Sequence, residues 1–314
     1  MKVGGSVMAV DNLVHGNECG LPLNAIEWLE THHNSKAKER RHMIRDLQLR
    51  PGSFVVDAGC GPGLWTPLLA RAIGPHGHVI GVDISAEALV TAQRRCQAKA
   101  YASQVRYKCA TLEQLPVAPG TAQVIFSANV SQYLPEPVTT FAAMGHYLAP
   151  GGRLVIKDID FGTMRFSNID PALQARVFQA REAWERERVE QGFAFEDSWV
   201  GSKLAGYLRA AGYKDVQERS YRIVRRYPLP TGFRLYLQGI AEWFVCEGAP
   251  LLEGVDITRW LQCFLDVADN AMDRETFVSE ETEFVVSGTW HKRPNHIRCL
   301  DMQAKLQSEE VLVK

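Results

Sequence analysis

Gly59, Gly61 and Gly63 stand at alternate positions, directly after the apolar run Val55-Val56-Asp57-Ala58 and directly before the helix-compatible stretch Leu64 to Ile73. A strand that breaks into such a turn and then starts a helix is suited to holding a nucleotide-like ligand. Residues without a Cβ accept positive φ and allow close approach, while the amides of the turn and the helix N-terminus face negative charge. In a dinucleotide loop, G-x-G-x-x-G, the third glycine would come one residue later, where Leu64 stands. A different cofactor is therefore expected. About twenty residues further on, the apolar strand Val79-Ile80-Gly81-Val82 ends in Asp83, where nucleotide-binding folds place the acid that accepts ribose hydroxyls. The plainer role for Asp83 is to help cap the next helix, which Ser85 opens as N-cap with Glu87 in its first turn and which reads as running to about Tyr101.

The loop and its preceding Asp57 resemble motif I of the class I S-adenosylmethionine-dependent methyltransferases, Asp-x-Gly-x-Gly-x-Gly at the end of the first strand. Three further segments follow in the family's order. Ala110-Thr111-Leu112-Glu113-Gln114-Leu115-Pro116, after a strand over Val105 to Cys109, resembles the segment beside the adenine. There Thr111 replaces the family's usual Asp, which implies a weaker, uncharged hydrogen bond to the adenine. Val124 to Ala128 reads as the fourth strand with Asn129 at its end, and Ala149-Pro150-Gly151-Gly152 resembles the turn into the fifth, with Ala149 in place of a lysine. Such segments in sequence, from Val55 to Asp158, are far more specific than any one of them.

The resemblance implies a Rossmann-like α/β fold, a mostly parallel seven-stranded sheet with helices on both faces. It also implies S-adenosylmethionine as cofactor, leaving as S-adenosylhomocysteine. Carried over residue by residue, the cofactor site comprises Asp57, Gly59, Cys60, Gly61, Gly63, Asp83, Ile84, Thr111, Leu112 and Asn129. The motif set is most similar to the small-molecule group that includes ubiquinone, menaquinone and natural-product methyltransferases. No Asn-Pro-Pro-aromatic signature follows the fourth strand, where the chain reads Asn129-Val130-Ser131-Gln132.

Composition fits one elaborated soluble enzyme. The 314 residues are 46% hydrophobic and 23% charged, and the formal net charge of -1 gives no basic field to hold a phosphate backbone, so nucleic acid is not expected as a partner. Seven scattered cysteines form no C-x-x-C pair and no zinc spacing; they read as reduced, mostly buried thiols, with no metal site. Residues 1–20 carry charges that interrupt any signal or span, so the expectation is a cytoplasmic protein without a membrane segment.

Outside the nucleotide half, residues 1–50 read as a helical cap, with one helical stretch from Leu23 to Leu49, ahead of a methyltransferase domain over 51–294 and a peripheral helical tail over 295–314. The pair His32-His33 reads either as catalytic or as polar residues at a helix end or bend. After Asp158 the chain is expected to leave the common core for an insert near 161–199, whose helix opens at Pro171. The aromatics of Gly192-Phe193-Ala194-Phe195 and Trp199 would then pack this lid or line a pocket. A second insert near 228–280 separates a sixth strand over Val216 to Val224 from a seventh over Phe284 to Trp290. Its apolar stripes (Phe233, Leu237, Ile240, Trp243, Phe244; Trp260, Phe264, Val267) read as core more readily than as pocket, and could also give a homodimer face.

A methyl sulfonium is already electrophilic, so the protein must align the acceptor, exclude water and, where needed, remove a proton. The candidate bases are Tyr133, Asp158, Asp160 and His33, with Tyr133 and Asp158 favoured by their place at strand ends. The expected reaction is direct displacement onto a small organic acceptor, apolar or aromatic. The alternatives are a non-catalytic cofactor- or partner-binding protein on the same fold, and a protein or RNA methyltransferase.

Overall fold

The computed structural model describes residues 23–192, 195–266 and 268–291. Seven strands, β1 (Phe54–Ala58), β2 (His78–Asp83), β3 (Val105–Cys109), β4 (Ala122–Ala128), β5 (Leu148–Phe166), β6 (Lys214–Arg226) and β7 (Val278–Thr289), form one sheet in the order β3-β2-β1-β4-β5-β7-β6. The first five run parallel, and β7 lies antiparallel between β5 and β6. The expected Rossmann-like sheet is thus present. Central strands read as continuous apolar runs because helices cover both faces. β6 closes one edge with Arg219, Arg222, Arg225 and Arg226, charges that discourage further strand pairing.

Successive strand residues point to opposite faces, and each face has its own core. Val56, Ile125 and Leu154 pack with Phe141 and Met144 of α5 (Pro137–Gly145) and with Leu204 and Leu208 of α7 (Leu204–Ala210). Val55, Val124 and Phe126 pack with Met43 and Ile44 of α2 (Ala37–Asp46) and Leu69 and Ile73 of α3 (Thr66–Ile73). α4 (Ala86–Cys96) begins as expected at Ser85, whose Oγ accepts from the amide of Ala88 at 3.0 Å, but it stops at Cys96 rather than near Tyr101.

Two expectations are corrected at the edges of the sheet. The stretch Leu23 to Leu49 is two helices, α1 (Ile26–Ser35) and α2. They break at Lys36, which leaves helical geometry with φ -121° and sends its side chain into the interior. β5 does not end near Asp158. It runs to Phe166 beside β7, past a register shift between Asp160 and Arg165, so residues 161–166 are strand rather than insert.

This extension carries a further helical layer. α6 (Pro171–Glu190), α8 (Thr231–Gly248) and α9 (Gly254–Leu265) gather on it around Trp28, Phe161, Met164, Phe166, Phe233, Leu237, Trp243, Phe244, Trp260 and Phe264. The apolar stripes of the second insert are therefore core, as their spacing favours. Gly239 of α8 is needed there, because the Trp28 ring of α1 lies where a Cβ would stand. N-terminal cap and inserts are thus one packed layer. Phe193, Ala194, Val267 and the tail 295–314 lie outside the described residues. Among the described cysteines Cys60 and Cys96 are buried, whereas Cys109 and Cys246 are exposed and Cys263 is intermediate, which corrects the expectation of mostly buried thiols. Among the described residues no helix is long and apolar enough to cross a membrane, and no cluster has the makings of a metal site.

Candidate active site

The C-terminal ends of β1, β2 and β4 open into a cavity of about 310 Å³, within the size range of small-molecule sites. Its wall includes Gly59, Cys60, Gly61, Asp83, Ile84, Thr111, Leu112 and Asn129 from the predicted set, together with Tyr133 and His33. The amide of Gly61 donates to Asp83 Oδ2 at 2.7 Å and that of Ser85 to Oδ1 at 2.9 Å, so Asp83 ties the glycine loop to β2 while its carboxylate lines the cavity. The plainer role, support for the start of the next helix, is thus present, and the same side chain faces the cavity. Gly61 takes φ 50°, and its missing Cβ would meet only a methyl of Leu29, at 3.8 Å, which leaves a cradle for a ligand.

Three predicted site residues have supporting places instead. Gly63 does not line the cavity; with φ 73° it turns the chain where a Cβ would stand 2.8 Å from the Tyr107 hydroxyl and 3.0 Å from Ala92 Cβ, so its role is close packing of the loop against α4. Asp57 lies beneath the loop, 1% exposed, accepting from Thr66 Oγ1 at 2.6 Å; burial first, and Asp83 second, push its carboxyl up to about 7. Asp158 is fully buried below the segment after β4. It accepts from the amide of Ser131 at 3.0 Å and is raised by burial to about 7, which makes it a brace for that segment rather than a group facing an acceptor. Asp160 likewise accepts from the backbone, at Gly162 and Ser202.

The two candidate bases that do reach the cavity are poor bases. Burial, reinforced by Glu196, pushes the Tyr133 phenol well above its ordinary value, so it remains a proton donor. Burial and the neighbouring Arg40 and Lys157 pull His33 down to about 2 and keep it neutral.

The other half of the histidine pair and several residues not singled out beforehand complete the wall. His32 is no solvated helix-end residue: it is 8% exposed, stacked on Tyr236 at 5.3 Å, and kept neutral by burial and by Lys36. Arg40, Trp65, Asn24 and Leu29 also line the cavity. The available signal was the i, i+4 spacing of His32, Lys36 and Arg40. A smaller recess shares Asn24, Leu29, His32, Asn129 and Tyr133 with the main cavity and adds Trp28, Ile159, Phe161, Tyr236 and Ile240. Asn129, held at φ 59°, stands at the junction and accepts from Lys157 Nζ at 2.6 Å.

A methyltransferase-domain family model matches residues 55–152, the stretch that builds this cavity floor. The chain is 32% identical over 228 residues to trans-aconitate 2-methyltransferase of Azoarcus sp. (strain BH72), covering 68% of this chain and 83% of that one. It is 37% identical over 111 residues to arsenite methyltransferase of Halobacterium salinarum, covering 35% of this chain and 28% of that one. With the first curated relatives the match spans 24% to 34% of their length. Among solved structures, the YcgJ protein from Bacillus subtilis superposes with a TM-score of 0.50 at 17% identity, covering 83% of this chain and all of that one, a likeness of fold. The chain belongs to the class I S-adenosylmethionine-dependent methyltransferases.

The residues present fit the family's cofactor. Asp83 offers a carboxylate to ribose hydroxyls, and the exposed side chain of Ile84, 46% accessible at the rim, offers an apolar contact to an adenine. The Gly61 cradle leaves room along the loop.

Proposed function

We propose that this protein transfers the methyl group of S-adenosylmethionine to a small organic acceptor with an apolar or aromatic body. The observation that carries this reading is the make-up of the main cavity, which sets Asp83 and Thr111 in one wall with the apolar and aromatic side chains of Leu29, Trp65, Val130 and Leu134. The acceptors named for two relatives, trans-aconitate and arsenite, are small, which supports a small acceptor here.

Bound S-adenosylmethionine supplies an electrophilic methyl carbon, and direct displacement forms the acceptor–carbon bond as the carbon–sulfur bond breaks. The chain's own part is placement. Asp83, Thr111, Leu112 and the glycine loop hold the nucleoside end, with Asn129, fixed by Lys157, beside them in the same cavity wall. Tyr133, protonated, orients the acceptor by donating a hydrogen bond. Leu29 and Trp65, in the cavity wall, exclude water. Neither Tyr133 nor His33 is suited to taking a proton, so an acceptor that must lose one hands it to a group other than these two.

The test is incubation with S-adenosylmethionine carrying a deuterated methyl group and three pools: small aromatic and aliphatic acids and alcohols, a peptide mixture, and bulk RNA. Mass spectrometry should find the label in the small-molecule pool. Label confined to peptide or RNA would contradict the reading.

A further inference from the structure

The wall that α1 and α2 give to the cavity conceals an uneven set of charges. Lys36, Arg40 and Lys157 are buried completely, and so are Glu281 and Glu283 of β7. Lys36 Nζ stands 2.9 Å from Glu281 Oε1 and 3.2 Å from Glu283 Oε1, and Lys157 Nζ lies 2.9 Å from Glu283 Oε1. The two lysines therefore take the short contacts with both carboxylates. Arg40 is left 3.9 Å from the nearest carboxylate oxygen of Glu283. Its Nε and Nη2 donate to the backbone oxygens of His33, at 3.1 Å, and His32, at 3.3 Å, while its buried Nη1 has no hydrogen-bond acceptor.

A buried donor without a partner is costly, and a fold that keeps one invites the question of what completes it. The neighbouring His33 Nδ1 is also buried without a partner, and both residues line the cavity. Trp65, two residues past Gly63, holds them together: the Arg40 guanidinium lies 4.8 Å from its ring centroid and the His33 ring meets it edge-on at 5.5 Å.

We propose that Arg40 and His33 form a carboxylate-binding subsite in the cavity wall, with Arg40 Nη1 and the Nδ1–H of neutral His33 both donating to the ligand's carboxylate. The inference rests on the cofactor reading above. Two ligands could bring the carboxylate, the amino-acid end of the cofactor or an acid group on the acceptor, and both would find the same donors.

The experiment is calorimetric titration of the full chain and of Arg40→Met and His33→Phe with S-adenosylhomocysteine and with S-adenosyl-3-thiopropylamine, its decarboxylated analogue, which keeps the amine. Benzoate and trans-aconitate are then titrated into each protein saturated with S-adenosylhomocysteine. His33→Phe leaves the backbone contacts of Arg40 in place and keeps the test open should Arg40→Met unfold. If the cofactor carboxylate sits here, the wild-type preference for S-adenosylhomocysteine is about tenfold or more and falls to within about threefold in the variants, while affinity for the analogue holds. If the acceptor's acid sits here, that preference is unchanged and the binding of benzoate or trans-aconitate is lost in the variants. A merely structural role would weaken both adenosyl ligands equally and leave the ratio and acid binding as they were, which would overturn the subsite alone. Wild-type protein that binds neither adenosyl ligand would overturn the cofactor reading and the subsite with it.

Discussion

The two sides of the cavity are built by different physics. On the side of β1 to β4, one continuous stretch of chain supplies a glycine turn, a carboxylate that ties it down and an apolar rim. On the side of α1, α2 and the inserts, the wall is a buried set of charges assembled from distant parts of the sequence. Lys36 and Glu283, 247 positions apart, stand 3.2 Å from each other. The first side gains its form from local backbone geometry, while the second depends on every partner being in place. Loss of a buried charge on the second side should therefore cost more folding free energy than a substitution on the first.

The largest effect is expected at Glu283→Gln. Removing this carboxylate leaves Lys36 and Lys157 short of their shared counter-charge in a fully buried setting, a loss on the order of 3–5 kcal/mol that urea unfolding would measure. Next comes Gly63→Ala, where positive φ and the Tyr107 hydroxyl oppose a Cβ; a cost of about 1–3 kcal/mol by the same assay is expected, with cofactor affinity falling as the loop shifts.

Asp57 sharpens the comparison through pH. Its carboxyl is raised from 3.8 to about 7 in the folded protein, so the folded state holds a proton that the unfolded chain releases. That stabilisation is complete below the unfolded value and is lost as pH rises through about 7. Asp57→Asn keeps an acceptor for Thr66 and removes the titration; it should flatten the decline in unfolding free energy between about pH 4 and about pH 7, and be the more stable protein above that range. An unchanged slope would show that Asp57 is ionised in the fold. The smallest effect is expected on the outer face of α6, where Glu182→Gln breaks an exposed i, i+4 pair with Arg186 and should cost no more than about 0.5 kcal/mol.

The same contrast governs what could be read from the sequence. Asp83, Gly61, Thr111 and Asn129 were legible because their signals are short: a turn, an acid at a strand end, a segment after β3. Even there, sequence could not say that Gly63 faces α4 or that Asp57 and Asp158 lie under the surface, since exposure is set by packing rather than spacing. Arg40 was missed because its meaning depends on β7, whose Glu281 and Glu283 lie buried beside α1 and α2. The break between α1 and α2 was hidden for the same reason, since it falls at Lys36, whose partners are remote in the chain.

The central claim is that the glycine loop and Asp83 hold the adenosyl cofactor. It is tested most directly by calorimetric titration of wild-type protein and Asp83→Asn with S-adenosylhomocysteine, with thermal unfolding of both as a control for the loop. The account predicts clear binding by the wild type, and a loss of about 1.5–3 kcal/mol in a variant that still folds, as expected when a charged acceptor of two hydroxyls is neutralised. Equal affinity in wild type and a well-folded Asp83→Asn, or no binding by either, would contradict it.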